Sequence, residues 1–344
     1  MIDLSADGIR LTFDPRLGQI VSFTVTDGGA DISPLHAAPW AGTDEPLPDG
    51  SPPHHRTLGG DFFCAPFGQE ADGVPLHGWP ANSEWVIERH SENELRARLN
   101  RKINGADLLK VLRLRDGHPF VYQRHEFTGL ADGLPFANHA NLALKTGGII
   151  RTSPKRVWQT PPTALESDPS RGRSGLRYPA RSTDPRNFPA RSGSADLTSY
   201  PWFDGTEDFV IGIEAPDSAL GWTAVTRPAE GDLFLSLRNP ADLPMTMLWH
   251  SNGGRDYPPW SGRHVGCLGI EEGLAPELLG PTDEANYTCP IGSFSVSHII
   301  GAIRWPAGDA VSWIDCSEGC LVVAGKRPTI RDVPFTVGWL SDNA

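Results

Sequence analysis

Apolar and polar residues alternate along this chain in a long series of short runs. Residues 8–13 alternate strictly, and 19–25 repeat the pattern after a Pro/Gly turn. A period of two puts successive side chains on opposite faces of a strand. Runs of similar strand-like character cover 84–88, 94–99, 108–114, 120–127, 209–213, 233–238, 246–249, 267–270, 294–298 and 321–324. Asn104-Gly105 and Asp116-Gly117 fall between runs, where tight turns favour residues that tolerate positive φ. No stretch of helical period intervenes, so the strands should join as an antiparallel meander. The predicted fold class is all-β: one large, mostly antiparallel β-sandwich, with 1–344 as a single domain.

Residues 152–208 depart from this pattern and are expected to form an irregular excursion. Between Arg151 and Arg191, eight arginines and one lysine stand against three carboxylates. One reading is a surface loop whose charges are solvated. The other is a lid that brings arginine to an anionic or polyhydroxyl ligand, because long loops in compact domains are often functional.

Composition narrows the function. Of 344 residues, 39% are hydrophobic and 21% charged, which fits a folded chain rather than a disordered one. Eleven tryptophans point to an aromatic interior or cleft. The net charge of −12 disfavours both nucleic acid and anionic membranes as partners. No apolar run reaches membrane-spanning length. The start, Met1-Ile-Asp-Leu, lacks a basic region followed by an apolar stretch, so no signal peptide is expected. Five cysteines in a chain of this size fit cytoplasmic free thiols better than a disulfide framework. Assembly as a homo-oligomer is left open.

Three candidate proton carriers sit in apolar or aromatic surroundings. They are His77 in Pro-Leu-His-Gly-Trp, His139 in Asn-His-Ala-Asn-Leu, and Glu271 at the end of Cys-Leu-Gly-Ile-Glu. Two imidazoles and a carboxylate suit proton transfer at neutral pH. A carboxylate among Cys, Leu and Ile should have a raised pKa, as a general base requires. Glu271 and Glu272 must point to opposite faces of their strand, so only one enters a given site. Near His77, Asn82, Trp79 and Trp85 offer the amide and aromatic surfaces with which proteins hold sugars. Asn138 is a further candidate beside His139. Each histidine could equally belong to a satisfied buried network.

No metal and no cofactor is predicted. Cys316 and Cys320 lack a second ligand pair, and His54-His55 in a Pro-rich turn reads as exposed. Phosphate-binding glycine loops and the serine-hydrolase elbow are both missing. A paired carboxylate set for glycoside hydrolysis is not evident either.

Four segments, in order, resemble the galactose mutarotase-like (aldose 1-epimerase) family. His77-Gly-Trp-Pro-Ala-Asn-Ser-Glu-Trp85 is similar to that family's His-Gly-Phe-Ala-Arg-Asn-x-x-Trp. Gly59-Gly60 through Pro66-Phe67-Gly68, Asn138-His139 through Leu144, and Cys267 through Glu271 resemble three further family segments. The resemblance implies a supersandwich fold and the interconversion of aldose anomers without a cofactor. It implies Glu271 as general base, His139 as general acid and His77 as a sugar hydrogen-bonding residue. The partner would be a small-molecule sugar. Arg56 is the nearest candidate for a family arginine expected before Gly59. Departures from the pattern include Ala81 before Asn82, Ala140-Asn141 after His139, and Glu272 in place of proline. They bear on the substrate and on whether catalysis is retained. The second reading is therefore a non-catalytic carbohydrate-binding or sugar-sensing protein on the same fold.

Overall fold

A computed structural model describes residues 1–68, 73–280, 287–317 and 319–341. Its architecture is all-β, with two large antiparallel sheets packed face to face. The first sheet has eleven strands. Its centre runs in the order Asp61–Cys64, Phe136–Ala143, Cys267–Leu274, Met245–Asn252 and Thr206–Glu214. The second has nine and contains the expected meander: Trp85–His90, Glu94–Leu99, Asp107–Arg113 and Phe120–Leu130 are consecutive neighbours. At Asn104-Gly105 both residues adopt positive φ, 44° and 83°, and turn the chain between Ile103 and Ala106. This is the backbone that a two-residue hairpin turn requires.

Strands such as Cys267–Leu274, Met245–Asn252 and Asp232–Arg238 are buried almost throughout instead of alternating. The reason is that both faces of each large sheet are covered. The inner faces share the main core. The outer face of the nine-stranded sheet is covered by a small sheet, Val311–Ser317, Cys320–Gly325 and Ile330–Pro334, which packs with Trp305 and Trp339 over Trp222, Leu235 and Ile299.

The segment 152–208 is irregular over much of its length, but short strands and buried side chains anchor it to both sheets. Lys155–Gln159 and Arg181–Ser182 extend the eleven-stranded sheet, while Ser199–Tyr200 joins the nine-stranded one. Leu176, Phe188, Leu197 and Trp202 enter the core. Asp208 accepts hydrogen bonds from the backbone amides of Gly175 and Leu176, 2.9 Å each, which ties the segment to the sheet. Its composition hid these anchors because they are single residues between polar ones.

Between the sheets lies a buried ionic network. Arg238 pairs with Glu272 at 2.8 Å and with Glu214 at 2.6 Å, and Lys155 completes it on Glu214. Thr223 and Thr246 donate hydrogen bonds to Glu272 at 2.7 and 2.8 Å. Glu272 thus points inward, toward the nine-stranded sheet. Strand alternation then sends Glu271 to the outer face.

Candidate active site

The outer face of the eleven-stranded sheet carries a cavity of about 320 Å³, lined by His77, His139 and Glu271 together with Trp249, Trp260 and Arg255. Register assembles its floor. His139 lies directly opposite Glu271 on the neighbouring strand, with Phe62 opposite His139 on the other side. His139 Nε2 and Glu271 Oε1 are 3.1 Å apart. Phe62 stacks on the His139 ring with centroids 4.6 Å apart, fixing its plane. Gly269 leaves the space into which the carboxylate folds: a Cβ there would meet Glu271 Oε1 at 2.9 Å and His139 Cε1 at 3.2 Å.

His77 comes from a sharp turn. It adopts φ 66°, outside the comfortable range for a non-glycine residue, and Gly78 follows at φ 71°. A Cβ on Gly78 would lie 2.0 Å from the Ala65 carbonyl oxygen, so only glycine fits. The turn sets the His77 ring edge-on to His139, centroids 5.4 Å apart.

Burial controls the electrostatics. Desolvation pushes the Glu271 carboxyl well above its usual pKa. It lowers His139 to about 3, with a smaller contribution from His54, and drives His77 well below its ordinary value, with help from neighbouring imidazoles. Burial therefore disfavours both the carboxylate of Glu271 and the imidazolium of His139 and His77. Glu271 Oε2, His139 Nδ1 and His77 Nδ1 are buried without a hydrogen-bond partner.

The sequence missed one wall. Arg255 pairs with Glu207 at 2.6 Å and lies 4.3 Å over the Trp260 ring, and Trp249 Nε1 donates to Glu207 at 2.6 Å. These residues come from separate segments, and no local pattern links them. His54 and His55, expected to be exposed, line the cavity instead; burial lowers them to about 4 and about 2. No arginine of 151–191 lines it among the described residues; the segment contributes Pro161, Thr163, Ala164 and Leu165.

Five nominated residues lie outside the cavity lining. Asn82 is buried beneath it and accepts from the His54 backbone amide at 3.0 Å, while its own amide donates to Leu76 and Gly78 carbonyls. Trp85 is buried at Gly18 and donates to the Pro80 carbonyl. Trp79 packs under Arg101 at 4.2 Å. The short 3₁₀ turn Trp79–Ala81 carries these rings away from the cavity. Asn138 faces inward opposite Glu272, as alternation from an outward His139 demands. Arg56 is exposed and donates to the Glu45 carbonyl at 2.7 Å.

No family model and no curated protein matches the chain. Solved structures do. The galactose mutarotase related enzyme of Lactobacillus acidophilus superposes with a TM-score of 0.57 at 11% identity, over 89% of this chain and 98% of its own. For the aldose epimerase homologue of C. elegans the TM-score is 0.54 at 11% identity, over 88% and 98%. This chain has the galactose mutarotase-like fold. A galactose mutarotase-like protein of Lactobacillus casei matches similarly, with a TM-score of 0.53 at 10% identity over 88% and 99%. Within this mutarotase-like sandwich the cavity opens on the outer face of the larger sheet, over its central strands.

Proposed function

We propose that the cavity interconverts the α and β anomers of a neutral aldose, with Glu271 and His139 as its proton-transfer pair. The observation that carries this reading is the 3.1 Å approach of His139 Nε2 to Glu271 Oε1 inside a ligand-sized cavity. Proton movement along that contact gives a carboxylate and an imidazolium. The anomeric hydroxyl and the ring oxygen of a pyranose are both bonded to C1, so the two groups can address them together. Glu271 takes the hydroxyl proton as His139 protonates the ring oxygen, and the C1–ring oxygen bond breaks to give the open-chain aldehyde. Rotation about C1–C2 and reversal of the same steps close the other anomer. The pair holds one proton before and after, so buried net charge does not change. His77, which lines the cavity, would hydrogen-bond the sugar, and Trp249 and Trp260 would offer it aromatic surface.

The preference for a neutral sugar follows from Arg255, whose charge is already matched by Glu207. A phosphorylated aldose would meet uncharged imidazoles and no free cation of this wall. The second reading, binding without turnover, is favoured by the apolar walls that Leu58, Phe67, Leu76 and Leu165 give the cavity.

The test is the rate at which a pure anomer equilibrates, followed by polarimetry or NMR with buffer catalysis subtracted. Wild-type protein should accelerate it for neutral aldoses, and Glu271→Gln should lower that acceleration by about 10²-fold or more. Sugar binding without any acceleration across neutral and phosphorylated aldoses would support the binding reading instead.

A further inference from the structure

We propose that His36, His264 and Cys267 form a binding site for one zinc(II) ion, behind the tryptophan wall of the cavity. One ring nitrogen of each histidine and the cysteine sulfur lie within 4.8 Å of one another. All three side chains are buried. His36 comes from a short segment that bridges to the larger sheet through Leu35, opposite Leu142, and to the approach of the next strand through Ala37, opposite Gly59. His264 precedes the strand that Cys267 begins.

Two observations point to a shared ligand. The Nε2 atoms of His36 and His264 are both buried without a hydrogen-bond partner. Leaving such atoms unpaired is costly, and one cation between them would satisfy both. Independently, His264 Nδ1 sits 2.7 Å from Ser251 Oγ. A metal-bound histidine is usually fixed this way through its other ring nitrogen, which leaves Nε2 for the ion. The Cys267 sulfur makes a long contact, 3.9 Å, to Asn141 Oδ1.

The donor set selects the ion. Two imidazoles and a thiolate suit zinc and disfavour magnesium or calcium, which take oxygen ligands. Bonds of about 2.0 Å to nitrogen and about 2.3 Å to sulfur call for a modest closing of the three side chains. On binding, the ion replaces the thiol proton of Cys267, which is released to solvent. Trp249 stacks on His264 with centroids 5.4 Å apart, and Trp40 and Trp260 pack around it, shielding the site from water. None of the three ligands lines the sugar cavity. The sequence gives no sign of the site, because His36 lies far from His264-x-x-Cys267.

Chelator-stripped protein titrated with cobalt(II), a spectroscopic stand-in for zinc, should take up one equivalent with a thiolate-to-cobalt charge-transfer band that zinc(II) abolishes. Cys267→Ser should remove the band. Ser251→Ala should weaken zinc binding by about 10- to 100-fold, the range for an outer hydrogen-bonding partner. The double variant Cys316→Ser/Cys320→Ser should bind as wild type. Zinc-edge X-ray absorption of the wild-type protein needs no variant, and should find one sulfur at about 2.3 Å with two nitrogens at about 2.0 Å. A sulfur-free zinc shell, a band that survives Cys267→Ser, or one lost in the Cys316/Cys320 double variant would overturn the proposal. So would the lack of any thiolate band at one equivalent.

Discussion

Glu271 and Glu272 sit side by side on one strand and are both buried, yet their surroundings share almost nothing. Glu272 points between the sheets, where Arg238 neutralises it and Thr223, Thr246 and Ser236 donate hydrogen bonds. Glu271 points into the cavity, meets His139, and keeps one oxygen without a partner. A buried carboxylate held by a fixed cation is committed to structure. One facing only a neutral imidazole holds its proton more tightly than a solvated carboxyl and has a partner with which to exchange it. A single residue of displacement along a strand therefore separates a structural charge from a candidate catalytic one.

The contrast can be broken most forcefully from the inner side. Arg238→Met leaves Glu272 and Glu214 without their shared cation and should cost about 3–5 kcal/mol of stability, measured by urea unfolding. On the outer side, Glu271→Gln should shift stability by less than about 1 kcal/mol at about pH 4, below the range in which the raised Glu271 pKa costs stability, while removing the anomerase acceleration proposed above. Equal stability losses in the two variants would erase the distinction.

Gly269→Ala sharpens the comparison without touching either glutamate. The new Cβ would meet Glu271 Oε1 at 2.9 Å and Trp249 Cβ at 3.0 Å; displacing the flexible end of Glu271 from His139 should lower catalysis by about ten-fold, while the Trp249 contact lowers the unfolding midpoint only modestly. An unchanged rate would mean that the 3.1 Å contact is not the working geometry.

Acid titration gives the most diagnostic difference. His54 titrates near 4 in the folded protein, because burial disfavours its charge, against about 6.5 in an unfolded chain. The unfolded state therefore binds the extra proton between those values, and this part of the stability is lost as pH falls from about 6.5 to about 4. His54→Gln should flatten the stability profile there by up to about 1.4 kcal/mol per pH unit. Glu271 acts with opposite sign: its raised pKa adds stability at low pH that is lost as pH rises above about 4.5. Removing each in turn should tilt the profile in opposite directions.

Much of this arrangement was legible in the chain. Period-two alternation gave the strands of the meander, and it required Glu271 and Glu272 to diverge. It could not say which faced the cavity, because period two is blind to which face is which; pairing of His139 with Glu271 across the strands decides that. Proximity in sequence misled at Asn82, Trp79 and Trp85, since the turn after His77 reverses the chain within a few residues. Trp249, Trp260, Arg255 and His54 were invisible as a group because only tertiary folding collects them. In 152–208, scattered anchors such as Leu176 and Trp202 carry no period at all.

The small sheet that covers the nine-stranded one has a consequence for biosynthesis. Trp222, Leu233, Leu235 and Leu237 belong to strands made well before Val311–Pro334, whose side chains cover them. During translation that apolar face stays open until the covering strands leave the ribosome, so the nascent chain presents a broad sticky surface late in its synthesis. A ribosome-stalled chain ending at Arg304 should accordingly hold chaperones that the full-length product releases.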